Sequence, residues 1–237
     1  MLQYAHGIHP GRDTRDADIA LMVPDWASFR ALRSRLISDG NFMPNGTVMH
    51  KLLFSGRIEV DFIPFGGIEE PDRTLVWPPD GSFTMEVFGF REAFGSTIPV
   101  RLPAGEEIQV VSLAALAVLK LLAWKARRLT APGKDSYDLA LIIRNYLEAG
   151  NHERLYADAG HLLDAPDFDY ELAGAWLLGH DIARILPPDA RTVIAHILKE
   201  QVDPHGTAWL VGDMPIVAEN GLALLKSLEE GLLAKRD

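Results

Sequence analysis

Three carboxylates carry the chemistry that can be read from this chain. Asp16 and Asp18 fall two apart in Arg12-Asp13-Thr14-Arg15-Asp16-Ala17-Asp18-Ile19. On an extended strand, residues two apart share a face, which places their Cα atoms about 7 Å apart. Two carboxylates at that separation repel each other unless a divalent cation bridges them, and hard oxygen ligands suit Mg²⁺ or Mn²⁺. The third carboxylate lies in Arg57-Ile58-Glu59-Val60-Asp61-Phe62-Ile63. There Ile58, Val60 and Phe62 alternate toward a core, while Glu59 and Asp61 face the other way. If this strand lies beside the first, Asp61 completes a cluster. Metal ions so held can neutralise nucleoside-triphosphate oxygens, lower the pKa of an attacking hydroxyl and stabilise a leaving pyrophosphate. A carboxylate near the nucleophile can serve as general base.

A second group of charges is basic. Lys120, Lys125, Arg127, Arg128 and Lys134 fall within fifteen residues that contain no acid. They read either as a solvated helix face or as a local phosphate-binding patch. Lys120 interrupts the most apolar helix of the chain, where its ammonium must reach water or a partner. Other chemistries find no support. The chain has no cysteine, so disulfides, thiolate catalysis and Cys-based zinc sites are excluded. It has no Gly-x-Ser-x-Gly, no Walker A motif and no Gly-x-Gly-x-x-Gly. His6 and His9 lie in a Pro/Gly loop with no third soft ligand nearby in sequence. His50 falls in an expected strand, as a pocket or surface residue. Gly66-Gly67 reads as a strand exit or as a place where backbone approaches a nucleotide.

The elements that must position these groups change character at Ser112. A short apolar run, Ala17 to Val23, is followed by a helix capped at Asp25 and ended by Gly40. Strands are expected at Val48 to Phe54 and Arg57 to Ile63, joined by Ser55-Gly56 as a tight hairpin, with Pro64-Phe65-Gly66-Gly67 breaking the second. Further β-like pieces lie near Thr74 to Trp77, Phe83 to Phe88 and Ile108 to Val111, with Phe90 to Arg101 ambiguous. Ser112 then caps a helix over Leu113 to Arg128, and a second is expected from about Lys134 to Ala149. Helices at about 152–164, 170–185, 189–201 and 216–233 complete the chain. Strands first and helices afterwards give an α+β fold: a sheet domain over 1–111 and a helical domain over 112–237.

Two sets of segments resemble a known family. Thr14-Arg15-Asp16-Ala17-Asp18-Ile19 and Ile58-Glu59-Val60-Asp61-Phe62-Ile63-Pro64 resemble the metal motifs of the DNA polymerase β-like nucleotidyltransferase superfamily. Leu119-Lys120-Leu121-Leu122-Ala123-Trp124-Lys125-Ala126-Arg127-Arg128, followed by Lys134-Asp135-Ser136-Tyr137-Asp138-Leu139, is similar to AbiEii/AbiGii-type bacterial nucleotidyltransferases, some of which are toxins of toxin–antitoxin pairs. The resemblance spans roughly residues 6 to 150. It implies a polymerase β-like mixed sheet with helices, a C-terminal helical domain and a two-metal, NTP-dependent transferase. Asp16 and Asp18 would hold metal, and Asp61 would be the third ligand or the base. Lys120 would touch the triphosphate, and Asp135 or Asp138 would match the downstream acidic motif. Thr14, Arg15 and Lys134 are further nucleotide-binding candidates.

Superfamily members carry a strand and a helix before the Asp-x-Asp strand, joined by a small-residue motif whose N–H groups cradle phosphates. Only fifteen residues precede Asp16, with no Gly-Gly or Gly-Ser among them. Either the strand–helix unit is encoded upstream of Met1 or the protein is a degenerate member, and the intact carboxylates favour the first. Without it, a sheet edge or face should be left uncovered and favour homo-oligomers.

Two readings follow. The first is transfer of a nucleoside monophosphate from an NTP to a hydroxyl on tRNA, a protein or a small molecule, with an antitoxin protein as partner. The second is a degenerate, non-catalytic scaffold used for binding or regulation. The bulk properties exclude other classes. Of 237 residues, 48% are hydrophobic and 24% charged, which is globular usage. A net charge of −10 makes the chain a poor general binder of nucleic acid. Leu113 to Leu119, at seven residues, is far short of the roughly 20 that span a bilayer. Nothing near Met1 reads as a signal peptide, so the expected location is the cytoplasm, with no membrane contact.

Overall fold

The computed structural model describes residues 5–9, 16–164 and 166–235. The chain divides into two compact units, one of Gly11–Arg91 and one of Met1–Pro10 with Glu92–Asp237.

The first unit is built on a four-stranded mixed sheet. Its strands are β1 (Asp16–Val23), β2 (Phe42–Pro44), β3 (Lys51–Phe54) and β4 (Ile58–Gly66), in the order β1-β4-β3-β2. β1 and β4 run parallel; β4 with β3, and β3 with β2, run antiparallel. Helix α1 (Trp26–Ser38) is capped by Asp25, whose Oδ1 accepts from the Ser28 N–H at 2.7 Å. Phe29 of α1 joins Val23, Leu52, Val60, Phe62 and Trp77 in the core. A two-stranded sheet of β5 (Thr74–Val76) and β6 (Thr84–Glu86) supplies Leu75 to the same core.

The hairpin between β3 and β4 turns as its sequence requires. Ser55 and Gly56 both have positive φ, at 48° and 68°, and the Arg57 N–H donates to Phe54 O. Two consecutive positive values make the mirror-image turn that matches strand twist. Two sequence expectations need correction here. β3 starts at Lys51 rather than Val48, because the Lys51 N–H closes a turn onto Val48 O. His50 accordingly sits in that turn, not in a strand. Nor does Pro64 break β4, which continues to Gly66 beside β1. The N–H of Phe62 points to His50 O. By the strand's period of two, the missing N–H of Pro64 falls on that same side, beyond the end of β3, and costs no ladder bond.

Helix α2 (Phe90–Phe94) and hairpin β7 (Thr97–Arg101)–β8 (Glu107–Val111) account for the ambiguous stretch. The remainder is helical: α3 (Leu113–Arg127), α4 (Pro132–Arg144), α5 (His152–Asp158), α6 (Tyr170–Ile185), α7 (Pro188–Val202), α8 (Trp209–Asp213) and α9 (Ala218–Leu233). Ser112 caps α3, its Oγ accepting from the Ala115 N–H. α4 begins at Pro132, a residue suited to a first helical turn, and ends at Arg144. The expected helix at 152–164 is α5 plus a 3₁₀ turn, Gly160–Leu162.

α6 is the buried centre of this unit, with Leu177, Leu178 and Ile182 inside. α6 and α9 meet at their backbones. A Cβ on Gly179 would lie 2.0 Å from Leu228 O, and one on Gly231 would lie 1.9 Å from Trp176 O. No helix among the described residues is long and apolar enough to cross a membrane.

Candidate active site

The parallel register sets Asp18 directly beside Asp61 and Asp16 beside Glu59. Adjacent strands lie about 4.8 Å apart, and alternate residues share a face. One face of the sheet therefore gathers Asp16 and Asp18 from β1 with Glu59 and Asp61 from β4. On the far side of β4, Lys51 is the antiparallel partner of Asp61. Its Nζ lies 3.1 Å from Asp61 Oδ2 and 2.5 Å from Glu59 Oε1. Asn45 Nδ2 donates to the other Glu59 oxygen at 2.7 Å.

The remaining Asp61 oxygen, Oδ1, is buried and has no hydrogen-bond partner. A buried carboxylate oxygen without a donor is costly, and a cation is one way to satisfy it. Burial opposes the charge on Lys51, but its bonds to Glu59 and Asp61 outweigh burial and raise its pKa. The same hydrogen bond from Lys51 lowers the Glu59 pKa. Asp61 and Asp18 fit a divalent cation in donor type and register. Among the described residues, however, no group of three or more His, Cys, Asp or Glu side chains could hold one. Thr14 and Arg15 lie outside the described residues.

The downstream candidates meet on α3 and α4. Asp135 and Asp138 are three apart on α4, hence on one face, opposite Lys120 and Arg127 of α3. Lys120 Nζ lies 2.6 Å from Asp138 Oδ2 and 3.6 Å from Asp135 Oδ1. Arg127 grips Asp135 with two bonds, Nε to Oδ2 at 2.6 Å and Nη2 to Oδ1 at 2.8 Å. Asp135 is completely buried, so this paired fork is what makes its charge tolerable. Lys134 is exposed on the first turn of α4.

Several of these partners were not foreseen. Lys51 was not legible from the turn alone: a turn centred on Ser55-Gly56 would set it opposite Val60, whereas the observed register carries one extra residue on the β4 side and sets it opposite Asp61. The Arg127 fork needed the α3–α4 geometry. A third cluster joins distant elements: Arg154 Nη1 and Nη2 each lie 2.6 Å from Asp181, and the Tyr146 hydroxyl donates to the same carboxylate. Gly66-Gly67 is a strand exit, as one of its two readings held. A Cβ on Gly67 would lie 2.2 Å from Pro24 O, so the backbone it admits is that of the neighbouring strand's end.

A mixed sheet with paired strand carboxylates, in a chain whose second half is helical, defines a nucleotidyltransferase fold. The family model described as "Nucleotidyl transferase AbiEii toxin, Type IV TA system" matches residues 1–208, and the chain belongs to that family. Nucleotidyl transfer and pairing with an antitoxin are thus the terms of its family. No curated protein matches the chain significantly, and no solved structure does.

Proposed function

We propose that the protein transfers a nucleoside monophosphate from an NTP to a hydroxyl acceptor with Mg²⁺ or Mn²⁺. The observation that supports this most is the Asp18–Asp61 register pair with its buried, unpartnered Asp61 Oδ1. Asp16, Asp18 and Asp61 would hold the cations, with Asp61 as third ligand or as base. When bound, such ions neutralise triphosphate oxygens and acidify the attacking hydroxyl. The chain's own part is positional. β1 and β4 set the carboxylate spacing, and Lys51 bridges Glu59 and Asp61 side by side.

In this reading Lys120 turns its ammonium from Asp138 toward a triphosphate, with Asp135 remaining on Arg127. Lys134, Thr14 and Arg15 are the remaining nucleotide contacts. A tRNA end, a protein side chain or a small molecule is the acceptor, and an antitoxin protein opposes the activity. Self-association through β1, an edge strand with Ile19 and Met22 exposed, belongs to the same proposal.

The test supplies each labelled NTP with Mg²⁺ or Mn²⁺ to total RNA and to a protein pool. Label should pass to one pool, and Asp61→Asn should abolish transfer. No transfer with any NTP to either pool would overturn the proposal. That result would favour a non-catalytic binding or regulatory scaffold. The observation on its side is that no group of three metal-ligating side chains comes together among the described residues.

A further inference from the structure

The basic run from Lys120 to Lys134 includes two cations that the site proposed above does not use. Lys120 lies on Asp138, and Arg127 on Asp135. Lys125 is exposed and Arg128 half-buried, and neither makes a hydrogen bond or ion pair with any described residue. The Arg128 guanidinium lies against two indoles instead, 5.0 Å from the ring centre of Trp209 and 5.9 Å from that of Trp124. Contact with a ring face spends none of the five N–H donors of an arginine.

The end of α3 does not account for this placement. Cations at a helix C-terminus can satisfy its last carbonyls. Here Arg127 O already accepts from the N–H groups of Thr130 and Ala131 and from the Thr130 hydroxyl. Nor is there an acid to neutralise. Asp213, at the end of α8, accepts from Trp124 Nε1 at 2.8 Å and so fixes the inner indole rather than pairing with Arg128.

The outer indole is bare. Trp209 opens α8 beside the buried Leu210 and Val211, yet it is 52% exposed. Ala208 before it has φ 41°, a left-handed conformation unfavourable for alanine. Leu129, next to Arg128, is exposed as well. Cations without counter-charges thus lie beside open aromatic surface, in a chain whose net charge is −10.

We infer that this surface binds a single-stranded nucleic acid. Arg128 and Lys125 meet phosphates, while a base stacks on the open ring of Trp209. An acidic peptide would answer the cations and leave the indole bare; a polynucleotide answers both. A bound strand is then the acceptor class for the transfer proposed above. That assignment rests on the proposed function, whereas the binding itself does not.

The experiment measures the fluorescence anisotropy of labelled single-stranded RNA and DNA of about ten nucleotides, without NTP or metal. RNA, or both strands, should bind saturably, and log affinity should fall with log salt with a slope of about −1.4 for two cations. Arg128→Gln should weaken binding about tenfold and flatten that slope by about 0.7, with the wild-type Tm retained. Trp209→Leu should weaken binding about tenfold with the slope unchanged, since stacking releases no counterion. Trp209→Phe keeps a stacking ring and should retain most of the affinity. Arg30→Gln, an equal loss of charge on α1 in the other unit, should leave binding as it is. Tighter binding of RNA identifies an RNA strand, and equal binding a strand of either sugar. No saturable binding, an Arg128→Gln variant that binds like the wild type, or an equal loss in Arg30→Gln would overturn the inference. Displacement of the strand by polyglutamate at equal charge concentration would overturn it in favour of an acidic protein. Strand binding without transfer would remove only the proposed function, and transfer without strand binding only this inference.

Discussion

The Lys51 ammonium lies 3.1 Å from Asp61 Oδ2 across the β3–β4 ladder, and 2.5 Å from Glu59 Oε1. One lysine thus reconciles two carboxylates that β4 projects from the same face. A divalent cation shared by Asp18 and Asp61 would share Asp61 with this ammonium. Lys51→Met should therefore bind Mn²⁺ about tenfold more tightly, equivalent to about 1.4 kcal/mol, by calorimetric titration. Weaker binding would show that Lys51 orients Asp61 for the ion rather than competing with it. The variant should also change the acid limb of stability. Glu59 has a lowered pKa in the fold, so its contribution is present above the unfolded value of about 4.3 and lost as pH falls through the folded one. Lys51→Met should flatten that slope.

Mg²⁺ or Mn²⁺ should raise the Tm of the wild type, because binding to the folded state alone stabilises it by mass action. The double variant Asp16→Asn with Asp18→Asn should lose the effect. An equal rise in both proteins, by scanning calorimetry, would remove β1 from the site.

The α3–α4 cluster separates structural from ligand-binding charge. Asp135→Ala leaves Arg127 and Lys120 facing a vacated, fully buried position, and should cost about 3 kcal/mol in urea denaturation. Lys120→Ala leaves Asp135 its Arg127 fork and should still unfold cooperatively. It should weaken NTP binding about ten- to hundredfold. Loss of cooperative unfolding in Lys120→Ala would make that lysine a structural residue.

Tyr146 gives a prediction at alkaline pH. Burial, reinforced by the Asp181 carboxylate, pushes its phenol well above the ordinary range. The unfolded chain releases this proton near pH 10 while the folded chain keeps it, so stability falls as pH rises past about 10. Tyr146→Phe should reduce that fall and cost about 1 kcal/mol at neutral pH for the lost bond to Asp181. An unchanged alkaline slope would place the titration elsewhere.

Much of the sheet was legible because its signals are local. Asp25 as a cap, Ser55-Gly56 as a turn and the alternation through Asp61 each follow from a few neighbouring residues. The pairing of Asp18 with Asp61 was conditional on two strands being neighbours, a relation between residues forty-three apart. Pro64 misled because a proline argues against a strand unless its N–H side is open, and where β3 ends is a tertiary fact. Lys120 reads as a lysine whose ammonium must reach water or a partner, and in the fold it reaches Asp138. Its neighbours Asp138 and Asp135 could not be ranked against a triphosphate without the facing helix. The Tyr146–Asp181–Arg154 cluster left no local signal, since each residue comes from a different helix or its flank.

The glycine contact between α6 and α9 bears on where this protein can be divided. The family match stops at residue 208, before α9 begins at Ala218. Yet Gly231 rests against the backbone of α6, and Gly179 against that of α9. The two helices fit like a dovetail, and neither can slide by a turn without driving a side chain into a carbonyl. The limit of family likeness is thus not a seam in the fold. A tail exchanged from another protein would need a backbone bare of side chains at this same height, and a chain cut after residue 208 would keep a groove cut for a helix it no longer has.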